Sequence, residues 1–202
     1  MITIVNYEMG NLTSVKNAFE YLGYNVKIAQ NNLDIQNADK LVLPGVGSYK
    51  MAMENIHRLG ILKCIQKKVE QKCPILGICL GMQLLAKDSR EDGYTNGFGF
   101  LPYNVEKFIE KEDISIPHMG FNDVKIVNKN SKMFFGINDL SDFYFVHSYR
   151  IEKNKDGYIS GITVYGSEFV SAFEKDNIWG VQFHPEKSQS NGLKLLSNFA
   201  RL

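Results

Sequence analysis

Through its first half the chain alternates short apolar runs with stretches whose apolar positions recur at helical spacing. Ile2 to Val5, Asn25 to Ala29, Asp39 to Pro44 and Cys73 to Cys79 read as strands. Helices are expected over about Leu12 to Leu22 and Met51 to Gln71, with another opening just after Cys79. Runs such as Leu41-Val42-Leu43 lack polar alternation, which suits strands covered on both faces. Successive βα units predict an α/β fold with a mostly parallel central sheet and flanking helices. From about Gly99 the pattern changes. Val105 to Phe108, Val124 to Val127, Phe143 to Val146, Tyr158 to Tyr165 and Phe169 to Glu174 look like strands joined by turns, and Gly192 to Arg201 like a closing amphipathic helix. No Pro/Ser-rich or charged linker separates the halves, so an antiparallel extension of one sheet is expected, with residues 1–202 forming one domain.

Composition narrows the function. The chain has 202 residues, and 23 Lys plus Arg against 22 Asp plus Glu leave a net charge of +1 with the basic residues scattered. That argues against nucleic acid as a partner, and against a polybasic membrane face. No run approaches the ~20 apolar residues of a membrane span, and the apolar start Met1 to Val5 is too short for a signal h-region. Cys64, Cys73 and Cys79 form neither a metal-ligand spacing nor an even disulfide framework, so no metal is expected and a reducing cytoplasm suits the set.

The most informative segment is Gly77-Ile78-Cys79-Leu80-Gly81-Met82-Gln83, a cysteine between two glycines where a strand pattern gives way to a helix pattern. It has the form of a nucleophile elbow, a sharp strand-to-helix turn that projects its central residue. Unpaired N–H groups at the start of the following helix would favour thiolate and a developing oxyanion. A small buried core cysteine is the plain alternative. Val181-Gln182-Phe183-His184-Pro185-Glu186 shifts the balance, because it supplies a base with a carboxylate two residues on. His184 can take a proton from Cys79 while Glu186 orients the imidazole. In open α/β sheets reactive groups gather at strand carboxyl ends, so these distant halves can meet.

Other residues could complete a pocket. Leu43-Pro44-Gly45-Val46-Gly47-Ser48 follows a strand, and its backbone N–H groups, with that of Leu80, could form an oxyanion hole; an ordinary βα turn fits equally. Gln83 lies one helical turn after Cys79 and could face the same pocket. Glu91 and Asp92 could capture an ammonium group or simply form an acidic surface loop. His147, in Tyr144 to Tyr149, reads as a packing residue of the pocket wall rather than a second base. Ile116 to Asn122 reads as a loop around His118 whose Met119 and Phe121 could anchor a partner; an ordinary turn with one buried aromatic fits equally.

Together, Met9 to Leu12, Pro44 to Ser48, Gly77 to Gln83, Pro117 to Asn122, Tyr144 to Tyr149 and Gly180 to Ser188 closely resemble, in order and nearly end to end, the triad-type (class I) glutamine amidotransferases. Within that family they look most like the glutaminase subunits of histidine biosynthesis. The resemblance implies a flavodoxin-like fold in which Cys79 attacks the glutamine side-chain amide, His184 protonates departing ammonia and Glu186 completes the triad. Water then hydrolyses the thioester. It implies that Gly45, Val46, Gly47 and Leu80 hold the oxyanion, and that Gln83, Glu91, Ser148 and Tyr149 recognise the glutamine head group. The implied partner is a barrel-shaped cyclase subunit, bound as a heterodimer, that receives ammonia through a tunnel and stimulates hydrolysis. Pro117, Met119, Phe121 and Lys187 would face it, and no cofactor is implied. Asn6, Glu8 and Phe121 stand where the family commonly has Asp, Gly and Trp. None belongs to the triad, but they touch the expected docking side. The ammonia acceptor is therefore open between the cyclase and a sugar-amidating partner. A γ-glutamyl hydrolase on the same fold and a catalytically silent regulatory subunit are the further alternatives, the latter opposed by the intact triad.

Overall fold

The computed structural model describes residues 1–110, 114–153 and 157–202. Its first half runs β1 (Ile2–Ile4), α1 (Leu12–Tyr21), β2 (Val26–Ile28), α2 (Asn32–Gln36), β3 (Lys40–Gly45), α3 (Tyr49–Arg58), α4 (Ile61–Glu70), β4 (Ile75–Cys79) and α5 (Leu80–Leu84). The strands pair in parallel in the order β2-β1-β3-β4. Leu41, Val42 and Leu43 are all fully buried, yet they face different layers. Leu41 and Leu43 pack into a core with α3 and α4 residues such as Met53, Ile56 and Ile65. Val42 points the other way, into a core holding Val15 and Phe19 of α1. The period of two along a strand thus feeds two helix layers from one sheet.

The second half contains β5 (Asp88–Ser89), β6 (Thr95–Asn96), β7 (Asn104–Lys107), β8 (His118–Ile126), β9 (Ser141–His147), β10 (Tyr149–Glu152), β11 (Ile159–Tyr165), β12 (Ser167–Lys175), β13 (Ile178–Val181) and α6 (Gln189–Ala200). The sheet continues through β13-β12-β10-β7-β5-β6, with β11, β8 and β9 branching from β12. The strand that matters for the site is β13. It leaves β12 antiparallel but runs parallel to β4, with Val181 opposite Ile78. α6 returns to the α1 side, where Leu195, Leu196 and Phe199 enter the second core. Among the described residues no helix is long and apolar enough to cross a membrane.

Several expectations are corrected. The helix expected over 51–71 is two, because Gly60 takes a left-handed conformation (φ +68°) and the Leu59 N–H closes α3 on Asn55. The short α2, started by an Asn31 side chain accepting from the Asp34 N–H, went unread. So did β10 and the two-residue strands β5 and β6. The segment read as a loop, Ile116 to Asn122, is mostly strand: β8 begins at His118 and pairs along β9 from His118–His147 to Val124–Ser141.

Candidate active site

The elbow forms at the carboxyl end of β4. Cys79 itself takes φ 53° and ψ −111°, a strained conformation for a residue with a Cβ, at a cost of about 1–3 kcal/mol. Its flanking glycines are needed for room. A Cβ on Gly81 would lie 1.6 Å from the Leu43 carbonyl oxygen, and one on Gly77 would meet the Gly81 carbonyl oxygen at 2.7 Å. β4, α5 and β3 can therefore approach closely only where the sequence has glycine. α5 is five residues long, so its contribution at Cys79 comes from its first N–H groups more than from an extended dipole.

Strand register brings the distant halves together. Gly45 lies directly opposite Cys79, so the loop 46–48 starts beside the sulfur. On the other side β13 pairs with β4 up to Val181–Ile78, and the chain then carries Gln182, Phe183 and His184 past Cys79. His184 is fixed by its backbone N–H donating to the Tyr144 carbonyl at 2.8 Å. A single 3₁₀ turn over Pro185–Lys187 then folds Glu186 back, and Glu186 Oε1 sits 2.8 Å from His184 Nδ1. Ser188 locks this turn, donating to the His184 carbonyl oxygen at 2.6 Å and accepting from the Tyr144 N–H at 2.9 Å.

His184 and Glu186 are almost wholly buried, with side chains 4% and 2% exposed. Burial pushes the imidazole pKa down, but the Cys79 sulfur and then Glu186 oppose it more strongly, and the balance raises it to about 10. With Nδ1 facing Glu186, the remaining nitrogen, Nε2, is buried and makes no hydrogen bond. The Cys79 sulfur is near enough to raise the ring's pKa both by charge and as a polar partner, though the contact stops short of a well-formed hydrogen bond at Nε2. Such a contact commonly tightens only when substrate is present.

Cys79 is buried but reachable, because it lines a cavity of about 480 Å³ together with Val46, Gly47, Ser48, Leu80, Gln83, Glu91, Pro117, Val146, His147, Ser148 and Tyr149. A larger cleft of about 650 Å³ lies elsewhere, around Phe134, Phe135, Lys132 and Lys194, and its lining has no cysteine or histidine. The smaller cavity joins a nucleophile elbow, glycine-rich backbone and polar walls.

Comparison with known proteins places the chain in a family. The family described as glutamine amidotransferase class-I matches residues 3–202. The chain belongs to that family. A Campylobacter jejuni protein named imidazole glycerol phosphate synthase subunit HisH 1 is 51% identical over 203 residues, covering 100% of both chains. A Methanocaldococcus jannaschii protein named imidazole glycerol phosphate synthase subunit HisH is 46% identical over 202 residues, again covering 100% of each. Among solved structures, one titled glutamine amidotransferase superposes with a TM-score of 0.77 at 18% identity, covering 100% of this chain and 98% of that one. The Thermotoga maritima PurLQS structure gives 0.77 at 20% identity, covering 99% and 97%. At such identities the structural likeness speaks for the class-I glutamine amidotransferase fold.

In this amidotransferase the other residues picked from sequence fall in two groups. Gln83, Glu91, Ser148 and Tyr149 line the Cys79 cavity. Gln83 is buried and already engaged, its Nε2 donating to the Tyr149 carbonyl and to Gln182 Oε1, each at 2.9 Å. Glu91 accepts from the Tyr49 N–H at 2.9 Å, and burial raises its pKa. Asp92 accepts from Ser48 Oγ at 3.3 Å, so this turn ties the loop 46–48 to the pocket wall. Met119 and Phe121 are 62% and 51% exposed on β8, and Pro117 reaches the cavity. Phe121 packs edge-on against Tyr144 at 5.6 Å between centroids, and Lys187 Nζ lies 5.6 Å from the centroid of the same ring. These residues form one surface beside the cavity mouth.

Sequence reasoning missed Tyr7, Gln182 and Ser188. Tyr7 is fully buried and donates to the Pro44 carbonyl at 2.5 Å, bracing the start of the glycine-rich loop. Burial, then Cys79, raises its pKa, so it stays a neutral donor. Its signal was weak, a lone tyrosine after a strand. Gln182 and Ser188 were visible as polar residues flanking the His184 segment, but their partners are tertiary.

Proposed function

We propose that this chain is the glutaminase subunit of an imidazole glycerol phosphate synthase, hydrolysing glutamine to glutamate and ammonia for a cyclase subunit in histidine biosynthesis. The observation that carries the chemistry is Cys79 on a strained elbow beside the His184–Glu186 pair, opening into a 480 Å³ cavity. Full-length relatives named as that synthase's subunit support the pathway. In this reading Cys79 gives its proton to His184 and attacks the glutamine side-chain carbonyl. Backbone N–H groups of the Gly45–Val46–Gly47 loop and of Leu80 stabilise the oxyanion. His184 then protonates the leaving ammonia, and water cleaves the thioester through the same base. Glu186 keeps Nδ1 occupied so that Nε2 is the working nitrogen. Gln83, Glu91, Ser148 and Tyr149 bound the head-group site. Pro117, Met119, Phe121 and Lys187 face a barrel-shaped partner in a heterodimer.

The test is Cys79→Ala in the complex with the cyclase. Glutamine-dependent synthesis is expected to vanish while synthesis from ammonium salt continues. Equal glutamine-dependent rates in variant and parent would refute the nucleophile.

A further inference from the structure

Gln182 is completely buried in the turn between β13 and His184, and its Nε2 lies 3.7 Å from the Cys79 sulfur. An amide can point either end at a neighbour, and the two ends have opposite consequences. An N–H stabilises a thiolate, whereas an oxygen repels it. Here the orientation follows from one group that has no choice. The Tyr149 carbonyl can only accept. Gln83 Nε2, 2.9 Å from it, is therefore the NH₂ end. The second proton of that NH₂ points at Gln182, 2.9 Å away, which must offer its oxygen. That leaves the Gln182 NH₂ facing the sulfur. Turning Gln182 over would set donor against donor, and turning Gln83 as well would set carbonyl against carbonyl.

The same carbonyl is held from its other side. His147 Nδ1 lies 2.8 Å from it and must carry a proton, so in the neutral ring Nε2 is bare. That nitrogen is 3.1 Å from His118 Nδ1, which is then the donor, and the bare His118 Nε2 takes an N–H from Asn122 at 3.2 Å. The Asn122 NH₂ also donates to the Val164 carbonyl at 3.1 Å, which fixes its orientation independently. Every donor along this run finds an acceptor.

We propose that Gln182 is a further catalytic residue, donating a hydrogen bond to the Cys79 sulfur, and that Gln83, the Tyr149 carbonyl and the His147–His118–Asn122 chain are positioning groups that hold its NH₂ there. It rests on the reading of Cys79 as nucleophile and deepens it. The donor acts before His184 is aligned, favouring thiolate in the resting site. The Val146 carbonyl, 3.9 Å from the sulfur, is the acceptor that a neutral thiol would use.

The experiment is alkylation of the free chain by iodoacetamide at neutral pH, with modification of Cys79, Cys64 and Cys73 followed by peptide mass spectrometry. Only thiolate reacts, so the ratio of the Cys79 rate to the other two buried thiols reports the local charge state, which a purely structural change would not move selectively. Gln182→Met is expected to lower that ratio about tenfold, the worth of one hydrogen bond to a charged group. Gln182→Glu keeps an oxygen for Gln83 but turns a carboxyl oxygen on the sulfur, and is expected to lower it at least as far. Should Gln182→Met fail to fold, Gln182→Glu and Gln83→Leu, which frees Gln182 to rotate, decide the matter. An unchanged ratio in a cooperatively folding variant overturns the proposal. The assay needs neither glutamine nor a partner. Unchanged alkylation alongside an inactive Cys79→Ala variant therefore sinks the role of Gln182 alone. Persistent hydrolysis by Cys79→Ala instead sinks the nucleophile, whatever the alkylation ratios.

Discussion

Two histidine arrangements border the same sulfur, and burial does not tell them apart. His184 is 3% exposed; His118 and His147 are 3% and 7%. Yet the pKa of His184 is raised to about 10, whereas burial pushes His118 down to about 4 and His147 to about 3. The partners make the difference. His184 has a carboxylate at 2.8 Å and the sulfur of Cys79 beside it, both rewarding a positive ring. The other two have each other and an amide, with no carboxylate among the described residues bonded to them; the Tyr149 carbonyl pulls His147 up, but desolvation outweighs it and leaves both rings neutral. Arg150, His184 and His118 push His147 further down. One wall is thus equipped to take up protons, and the facing wall to stay out of proton chemistry and hold its shape.

The largest break in this contrast is removal of the base. His184→Asn is expected to lower glutamine hydrolysis in the partner complex on the order of 10⁶-fold, as loss of a triad base does elsewhere. Glutamate release measures it, and a loss of less than tenfold would make His184 as passive as His118. Next comes Glu186→Gln, which keeps nucleophile and base but removes the charge that orients Nδ1. A drop of about 10³ to 10⁴-fold is expected, smaller than for His184→Asn. Full activity there would exclude a triad role for Glu186.

The contrast also sets a pH dependence of stability, with opposite signs on the two walls. The folded pKa values of His118 and His147 lie below the unfolded value near 6.5. Their contribution is complete above about pH 6.5 and is lost as pH falls toward about 4 and then about 3, because the unfolded chain takes protons that the fold refuses. His184 lies above its unfolded value, so its contribution is complete below about pH 6.5 and disappears as pH rises through about 10. Denaturant melts across pH 3 to 10 should therefore show an acid-side loss that His118→Phe with His147→Phe reduces and His184→Asn does not. An acid limb unchanged in the double variant would contradict the assignment of neutral rings.

Much of the charged wall was legible in sequence, and little of the neutral one. The parallel strands announce themselves because both faces are covered, so Leu41 to Leu43 and Ile75 to Ile78 are continuous apolar runs. The elbow was legible because glycine is the only residue that fits at positions 77 and 81. His184 and Glu186 are local in sequence, and a single turn joins them. The first half of β8 escaped, though Val124 onward was read as strand, because its polarity is inverted. Met119 and Phe121 point outward, while His118 lies inward against Phe145 and Tyr165 and is bonded to His147. A period-two reading expects the opposite. The break at Gly60 was lost inside a pattern that stays amphipathic on both sides of it. Gln182 could not be read as functional at all, because its meaning depends on a carbonyl 33 residues earlier in the chain and on Gln83 beyond that.

The gentlest test transplants the feature that separates the two walls. Asn122→Asp is nearly isosteric and places a carboxylate where His118 Nε2 now takes an N–H. That nitrogen must then carry a proton, and since Nδ1 already donates to His147, the ring becomes an imidazolium. An opposite charge at this range is worth about 1–3 pH units, so His118 should titrate that far above its present value near 4. NMR of the ring protons reads this directly. The catalytic wall should notice little, since His147 still donates to the Tyr149 carbonyl and the Gln83–Gln182 orientation survives; a change of less than about threefold in hydrolysis is expected, well below the worth of a charged hydrogen bond. If His118 keeps its low value with a carboxylate beside it, desolvation alone governs these rings, and the contrast with His184 is one of depth rather than of partners.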